Sequence, residues 1–186
     1  MPTFVYFGDR FQSSNNDSSA ASLIREEMTS WVVIDSSAYG RSSREGMARF
    51  QDDVLLYNPD LVAIMFGIHD ARTPNSVPIE EFSANLRYMV KRLLPSETIL
   101  ISPILHESEK QPGMNALIQN YCKEMKRVAS ETGSMYLDLC SLNGECSNIQ
   151  DVLAKKLLHE LVKKEVHAEN RKSLFQKFNL RSYRVF

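Results

Sequence analysis

The chain has 186 residues, 43% hydrophobic and 24% charged, a make-up that suits one ordinary globular domain and excludes a mainly disordered chain. Its 22 basic and 23 acidic side chains leave a net charge of -1, so no nucleic-acid surface is expected. No run approaches the ~20 apolar residues of a membrane helix, and no membrane contact is expected.

The elements alternate along the chain. Thr3 to Gly8 is a short apolar run that reads as a buried strand. Asp17 to Trp31 carries Leu23, Ile24 and Met28 at helical spacing, with Asp17 or Ser18 as its cap. Trp31 to Asp35 is a second strand, rich in β-branched residues. Ser42 to Asn58 puts Met47, Phe50, Val54 and Tyr57 on one helical face and stops before Pro59. Asp60 to Phe66 is a near-continuous apolar run, which predicts a central strand buried on both faces. Pro78 to Leu94 is helical, Thr98 to Ser102 a strand, and Gly113 to Thr132 a long helix stopped by Gly133. Ser134 to Leu139 is the fifth strand. Val152, Leu153, Leu157 and Leu161 mark another helix, and Leu174, Phe175 and Phe178 a last one.

This alternation predicts right-handed crossovers and a parallel sheet with helices on both faces. The expected fold is a three-layer α/β/α sandwich, flavodoxin-like, with a five-stranded parallel sheet in one domain over residues 1–186. Ligands in such folds bind outside the carboxyl ends of the strands. The residues there are Gly8, Asp9 and Arg10; Asp35, Ser36 and Ser37; Gly67, His69 and Asp70; and, near the C-terminus, His167.

Those residues carry a resemblance. Gly8-Asp9-Arg10 after the first strand is similar to the Gly-Asp-Ser turn of the SGNH/GDSL hydrolase family, and Val33 to Phe50 is similar to its second block. Asn58-Pro59-Asp60-Leu61-Val62 with Gly67-Ile68-His69-Asp70 resembles the third block, and Lys164-Glu165-Val166-His167 stands where the fifth would read Asp-x-x-His. The resemblance implies ester chemistry: a serine attacks, a histidine takes its proton, and an aspartate orients the histidine. The serine N–H, a glycine N–H and an asparagine side chain then hold the oxyanion.

The sequence departs from that pattern at each reacting position. Arg10 replaces the serine, Ser37 the glycine, His69 the asparagine and Lys164 the aspartate; only His167 is retained. The resemblance therefore implies a family member that has lost its reaction centre and works as a non-catalytic binding or interaction protein. The alternative is a divergent esterase that uses His167 on a small ester. The expected contact residues are Asp9, Arg10, Ser37, Gly67, His69 and Asp70, with His167 as the retained catalytic position. Arg10 reads either as an anion-binding group or as an ion-pair partner of Asp9, Asp70 or Glu165. Ser13 and Ser14 read as loop and cap residues rather than displaced nucleophiles.

No cofactor and no metal are expected. The three cysteines match no zinc spacing, and His106-Glu107 and His159-Glu160 lack the second histidine of a metal helix. Cys140 and Cys146 are near enough in sequence to pair, yet so few cysteines suit a reduced, cytoplasmic setting. The start, Met1-Pro2-Thr3-Phe4, has no basic segment of the secretory kind. Arg171, Lys172, Lys177, Arg181 and Arg184 alternate with aromatic residues and read as a solvated helix face. The expected partners are a small anionic or ester ligand, with Ser182 to Phe186 available for a protein partner or a homo-oligomer contact.

Overall fold

Alternation along each strand decides which core its side chains enter. The computed structural model describes residues 1–10, 19–72, 74, 76–105, 113–142 and 149–164. Strands β1 (Thr3–Asp9), β2 (Val32–Ala38), β3 (Leu61–Met65), β4 (Glu97–Ile101) and β5 (Met135–Leu137) form one parallel sheet in the order β2-β1-β3-β4-β5. Helices α1 (Ala20–Glu27), α2 (Ser43–Asp53), α3 (Ile79–Leu93) and α4 (Met114–Thr132) connect them, and α5 (149–164) follows β5.

Val5, Phe7, Val62, Ile64 and Leu100 point to one face of the sheet. There they pack under Phe50 of α2, Phe82, Leu86 and Met89 of α3, and Ile118 and Met125 of α4. Phe4, Tyr6, Leu61, Ala63, Met65 and Ile99 point to the other, under Ile24 of α1 and Leu153, Leu157 and Leu161 of α5. Each large side chain so buried contributes about 1.5–3 kcal/mol. Two cores on one sheet make the three-layer α/β/α sandwich that the continuous apolar runs predicted.

Several boundaries differ from the sequence reading. Helix α1 starts at Ala20 behind the cap Ser19, whose Oγ accepts from the Ser22 N–H at 3.2 Å. It ends at Glu27, because Trp31 turns back to donate its N–H to the Met28 carbonyl and buries its ring. Helix α2 begins with a capping box in which Ser42 and Glu45 satisfy each other's N–H groups. It does not run to Asn58. Val54 leaves helical geometry to enter the core, a 3-10 turn covers Leu55–Tyr57, and Asn58 is left-handed at φ 46° before Pro59. Strand β2 runs three residues past Asp35, since Ser36, Ser37 and Ala38 continue the ladder opposite Phe7, Gly8 and Asp9.

The chain leaves β1 for β2 on one side and returns to β3 on the other. Helix α1 lies over one face and α2 over the other. The carboxyl ends of β1 and β3 therefore flank the crevice where such sheets take ligands.

Helix α5 runs against the strands. Near its start, the Gln150 side chain accepts the Ala20 N–H at 2.9 Å, beside the carboxyl ends. At its end, Lys164 pairs with Glu97, the first residue of β4.

Cys122 and Cys140 carry free thiols. Cys146, the last-helix residues Leu174, Phe175 and Phe178, and the basic run from Arg171 lie outside the described residues. Among the described residues no helix is long and apolar enough to cross a membrane.

Candidate ligand site at the carboxyl ends of the strands

Asp9 ends β1 with its carboxylate turned into the crevice between β1 and β3, only 3% exposed. Burying a charge is costly unless donors surround it. Here Oδ1 accepts the N–H groups of Gly40 and Arg41 at 3.1 and 3.4 Å, and Oδ2 accepts from His69 Nδ1 at 2.6 Å. The other ring nitrogen, His69 Nε2, lies 2.9 Å from an Arg72 terminal nitrogen. A ring between a carboxylate and a guanidinium donates from Nδ1 and accepts at Nε2, the neutral tautomer. Asp9, His69 and Arg72 thus form one hydrogen-bonded chain across the crevice.

Asp70 faces the other way. It is fully buried, and its Oδ1 takes the Ser43 N–H and hydroxyl at 2.9 and 2.5 Å while Oδ2 takes the Gly67 N–H at 3.0 Å. Asn85 also donates to the Ser43 oxygen. These bonds tie the turn after β3 to the start of α2, so Asp70 and Gly67 shape the loop that presents His69 and Arg72.

Burial pushes the Asp70 carboxyl up to about 6, against the pull of the Ser43 and Gly67 donors. Its ordinary value is 3.8, so between those two values the folded chain binds the proton and the unfolded chain does not. Stability is therefore expected to fall as pH rises from about 4 through about 6, by roughly 3 kcal/mol. Asp70→Asn is expected to flatten that slope in urea titrations across the same range, while losing the bond to Gly67.

Arg10 begins just past β1. Its backbone N–H donates to the Ala38 carbonyl at 3.2 Å. No described residue accepts from its guanidinium, and Asp9 and Asp70 are bound to other donors. The ion pairs to Asp9 and Asp70 read as options from sequence are thus not formed, because nearer donors hold both carboxylates. Glu165 lies outside the described residues. Ser37 is also held from within: its N–H and hydroxyl both donate to Asp35 Oδ1, at 3.0 and 2.5 Å.

Asp9, Arg10, Ser37, Gly67, His69 and Asp70 therefore lie together at the carboxyl ends of β1, β2 and β3. Lys164 is at the opposite end of the sheet on Glu97, far from any histidine of this crevice, because α5 carries it the length of the sheet. His167, Ser13, Ser14 and His106 lie outside the described residues. His159 is exposed on α5, and among the described residues no histidine, cysteine or carboxylate cluster fits a metal ion. Arg72 and Ser43 escaped the sequence reading. Arg72 had one signal, its spacing three residues after His69 in the same loop.

Residues 6–163 match the model of the GDSL-like Lipase/Acylhydrolase family, a match that ends short of His167. An acetylxylan esterase of Geobacillus stearothermophilus is 30% identical over 116 residues, covering 57% of this chain and 53% of that protein. An isoamyl acetate-hydrolyzing esterase 1 homolog of Rattus norvegicus is 35% identical over 108 residues, 47% of this chain and 43% of that protein. The chain thus spans about half the length of the curated relatives it matches. Among solved structures, a lipase/acylhydrolase from Enterococcus faecalis superposes with a TM-score of 0.78 at 21% identity, over 88% of this chain and 97% of that one. The fold is shared along nearly the whole of that chain.

Proposed function

This chain belongs to the GDSL-like lipase/acylhydrolase family, and from that premise we propose that it is a member without hydrolase chemistry, acting as a binding or interaction protein. One observation carries the reading. The groups that hold the oxyanion in the family, here the backbone N–H of Arg10 and of Ser37 and the side chain of His69, are committed inside the protein. The Arg10 N–H goes to Ala38, the Ser37 N–H to Asp35, and the His69 ring lies between Asp9 and Arg72. An oxyanion hole needs free donors aimed where charge develops. Arg10 also supplies no nucleophile, since guanidinium keeps its proton.

The reading extends to one domain over residues 1–186 and to a reduced, cytoplasmic setting, supported by the free thiols of Cys122 and Cys140. It takes His167 as a vestige of the reaction centre. The expected ligand is small, an ester or an anion, and a protein partner or a second copy completes the list.

The esterase alternative has its own support. The relatives are esterases by name, and Asp9 holds His69 at 2.6 Å as a base would be held. That reading uses His167 or His69 to activate water on a small ester.

One experiment separates the two. Purified protein is expected to hydrolyse aryl acetates no faster than its His167→Ala and His69→Ala variants, and a serine-directed phosphonate is expected to leave no adduct. Turnover that falls in either variant, or a label on Ser13, Ser14 or Ser37, selects the esterase.

A further inference from the structure

We propose that the crevice between β1 and β3 binds an oxyanion, a carboxylate or phosphate group, through the guanidinium groups of Arg72 and Arg10, with Asp9 and His69 positioning Arg72. The inference rests on the non-hydrolytic reading above and adds to it a ligand class and the residues that read it.

Arg72 carries an unspent donor. One terminal nitrogen serves His69, but its Nε is buried and has no hydrogen-bond partner. Such orphaned donors are rare in native proteins, and each needs a reason. A bound oxyanion supplies one, because guanidinium presents Nε–H and a terminal N–H as a fork matched to two oxygens.

The way Arg72 is held points the same way. An arginine whose task was to neutralise Asp9 would touch it directly. Here a neutral ring stands between them: Asp9 is 2.6 Å from His69 Nδ1, and Arg72 is 2.9 Å from Nε2. The ring fixes the guanidinium and leaves its positive charge without an anion in contact.

Arg10 is the second cation in want of a partner. No described residue accepts from its side chain, although the carboxylates of Asp9, Asp35 and Asp70 lie on the strands and turns around it. Asp9 is taken by Gly40, Arg41 and His69. Asp35 is taken by Ser19 and Ser37. Asp70 is taken by Ser43 and Gly67. Every local acid has its donors, and two local guanidiniums lack their acid. The two arginines also flank the switch point of the sheet, where ligands bind in this architecture.

The test uses the full chain, with inorganic phosphate and acetate as probes at matched ionic strength. Isothermal titration is expected to give saturable, millimolar binding of one or both. Phosphate alone marks a phosphate ligand, and acetate alone marks a carboxylate. Arg72→Gln and Arg10→Gln are each expected to weaken it about tenfold, the loss of one charge-assisted contact. Arg127→Gln, on the outer face of α4, is expected to leave it unchanged. His69 is tested as a positioning residue. His69→Gln can still accept from Arg72 and donate to Asp9 and is expected to keep binding, while His69→Leu is expected to lose about as much as Arg72→Gln. If Arg72→Gln does not fold, the Arg72 Nε–H resonance of the native chain gives the answer, since the bound probe is expected to move it. Absence of saturable binding to either probe overturns the proposal, as does an affinity in Arg72→Gln or Arg10→Gln equal to that of the native chain. Ester turnover by the native chain overturns the non-hydrolytic reading instead, and the two failures are read in separate assays.

Discussion

Gly8→Ala is expected to cost about 4 kcal/mol or more, a large share of the roughly 5–15 kcal/mol stability of an ordinary domain. The residue lies opposite Met65 in the parallel ladder of β1 and β3. Its φ of +123° is one that L side chains avoid. A Cβ there would lie 2.0 Å from the Met65 carbonyl oxygen, 2.8 Å from its carbon and 3.0 Å from its nitrogen. All three are backbone atoms, so no side chain can swing aside to make room. Backbone strain of about 1–3 kcal/mol adds to an overpacking cost of similar size. Urea unfolding is the measurement, and Gly133→Ala is the control. Gly133 also has positive φ, at +71°, but nothing lies within 4 Å of its Cβ direction, so its cost is expected to be about 1 kcal/mol. Equal losses at the two sites would show that φ alone governs, and that the close approach at Met65 carries no weight.

The same residue pair marks where sequence reasoning worked. Phe4 to Phe7 and Leu61 to Phe66 are unbroken apolar runs, and only a strand covered on both faces needs them. Phe4 to Phe7 and Leu61 to Met65 lie in the sheet, with helices above and below. The strand ends were therefore legible as the candidate site, and the motifs placed Asp9, Ser37 and His69 at those ends, where the structure has them.

What escaped was whatever depends on direction rather than pattern. Ser36 to Ala38 lack an apolar signature, yet they extend β2 because the ladder with Phe7, Gly8 and Asp9 continues. Lys164 has the Asp-x-x-His spacing before His167, but α5 runs against the strands and delivers it to Glu97 at the amino end. Arg72 and Ser43 are joined to their partners only in space, the one through His69 and the other through Asp70. A pattern along the chain holds no trace of such a bond unless the partner is known.

Arg10→Ser is expected to restore no ester hydrolysis: its turnover of aryl acetates should equal that of Arg10→Ala. A hydroxyl at this turn would be one part of a unit whose members fail together. It needs a base, and His69 has one ring nitrogen on Asp9 and the other on Arg72. It needs an oxyanion hole, and the N–H groups of residues 10 and 37 are held by Ala38 and Asp35. Losing a single oxyanion donor costs about 10²–10³ in rate, and losing the base leaves only residual catalysis. Lys164→Asp cannot help, since that side chain sits on Glu97 at the far end of the sheet. Asp35→Ala removes the acceptor of the Ser37 N–H and His69→Asn breaks the chain to Arg72. The triple variant with Arg10→Ser is therefore the smallest change expected to free a nucleophile and two donors together. Its turnover should exceed that of Arg10→Ser, weakly, because a base is still missing. Hydrolysis in Arg10→Ser alone above the Arg10→Ala level would mean that the internal bonds at residues 10, 37 and 69 open readily. Arg10 in place of a serine would then be the whole difference between this crevice and the proposed esterase alternative.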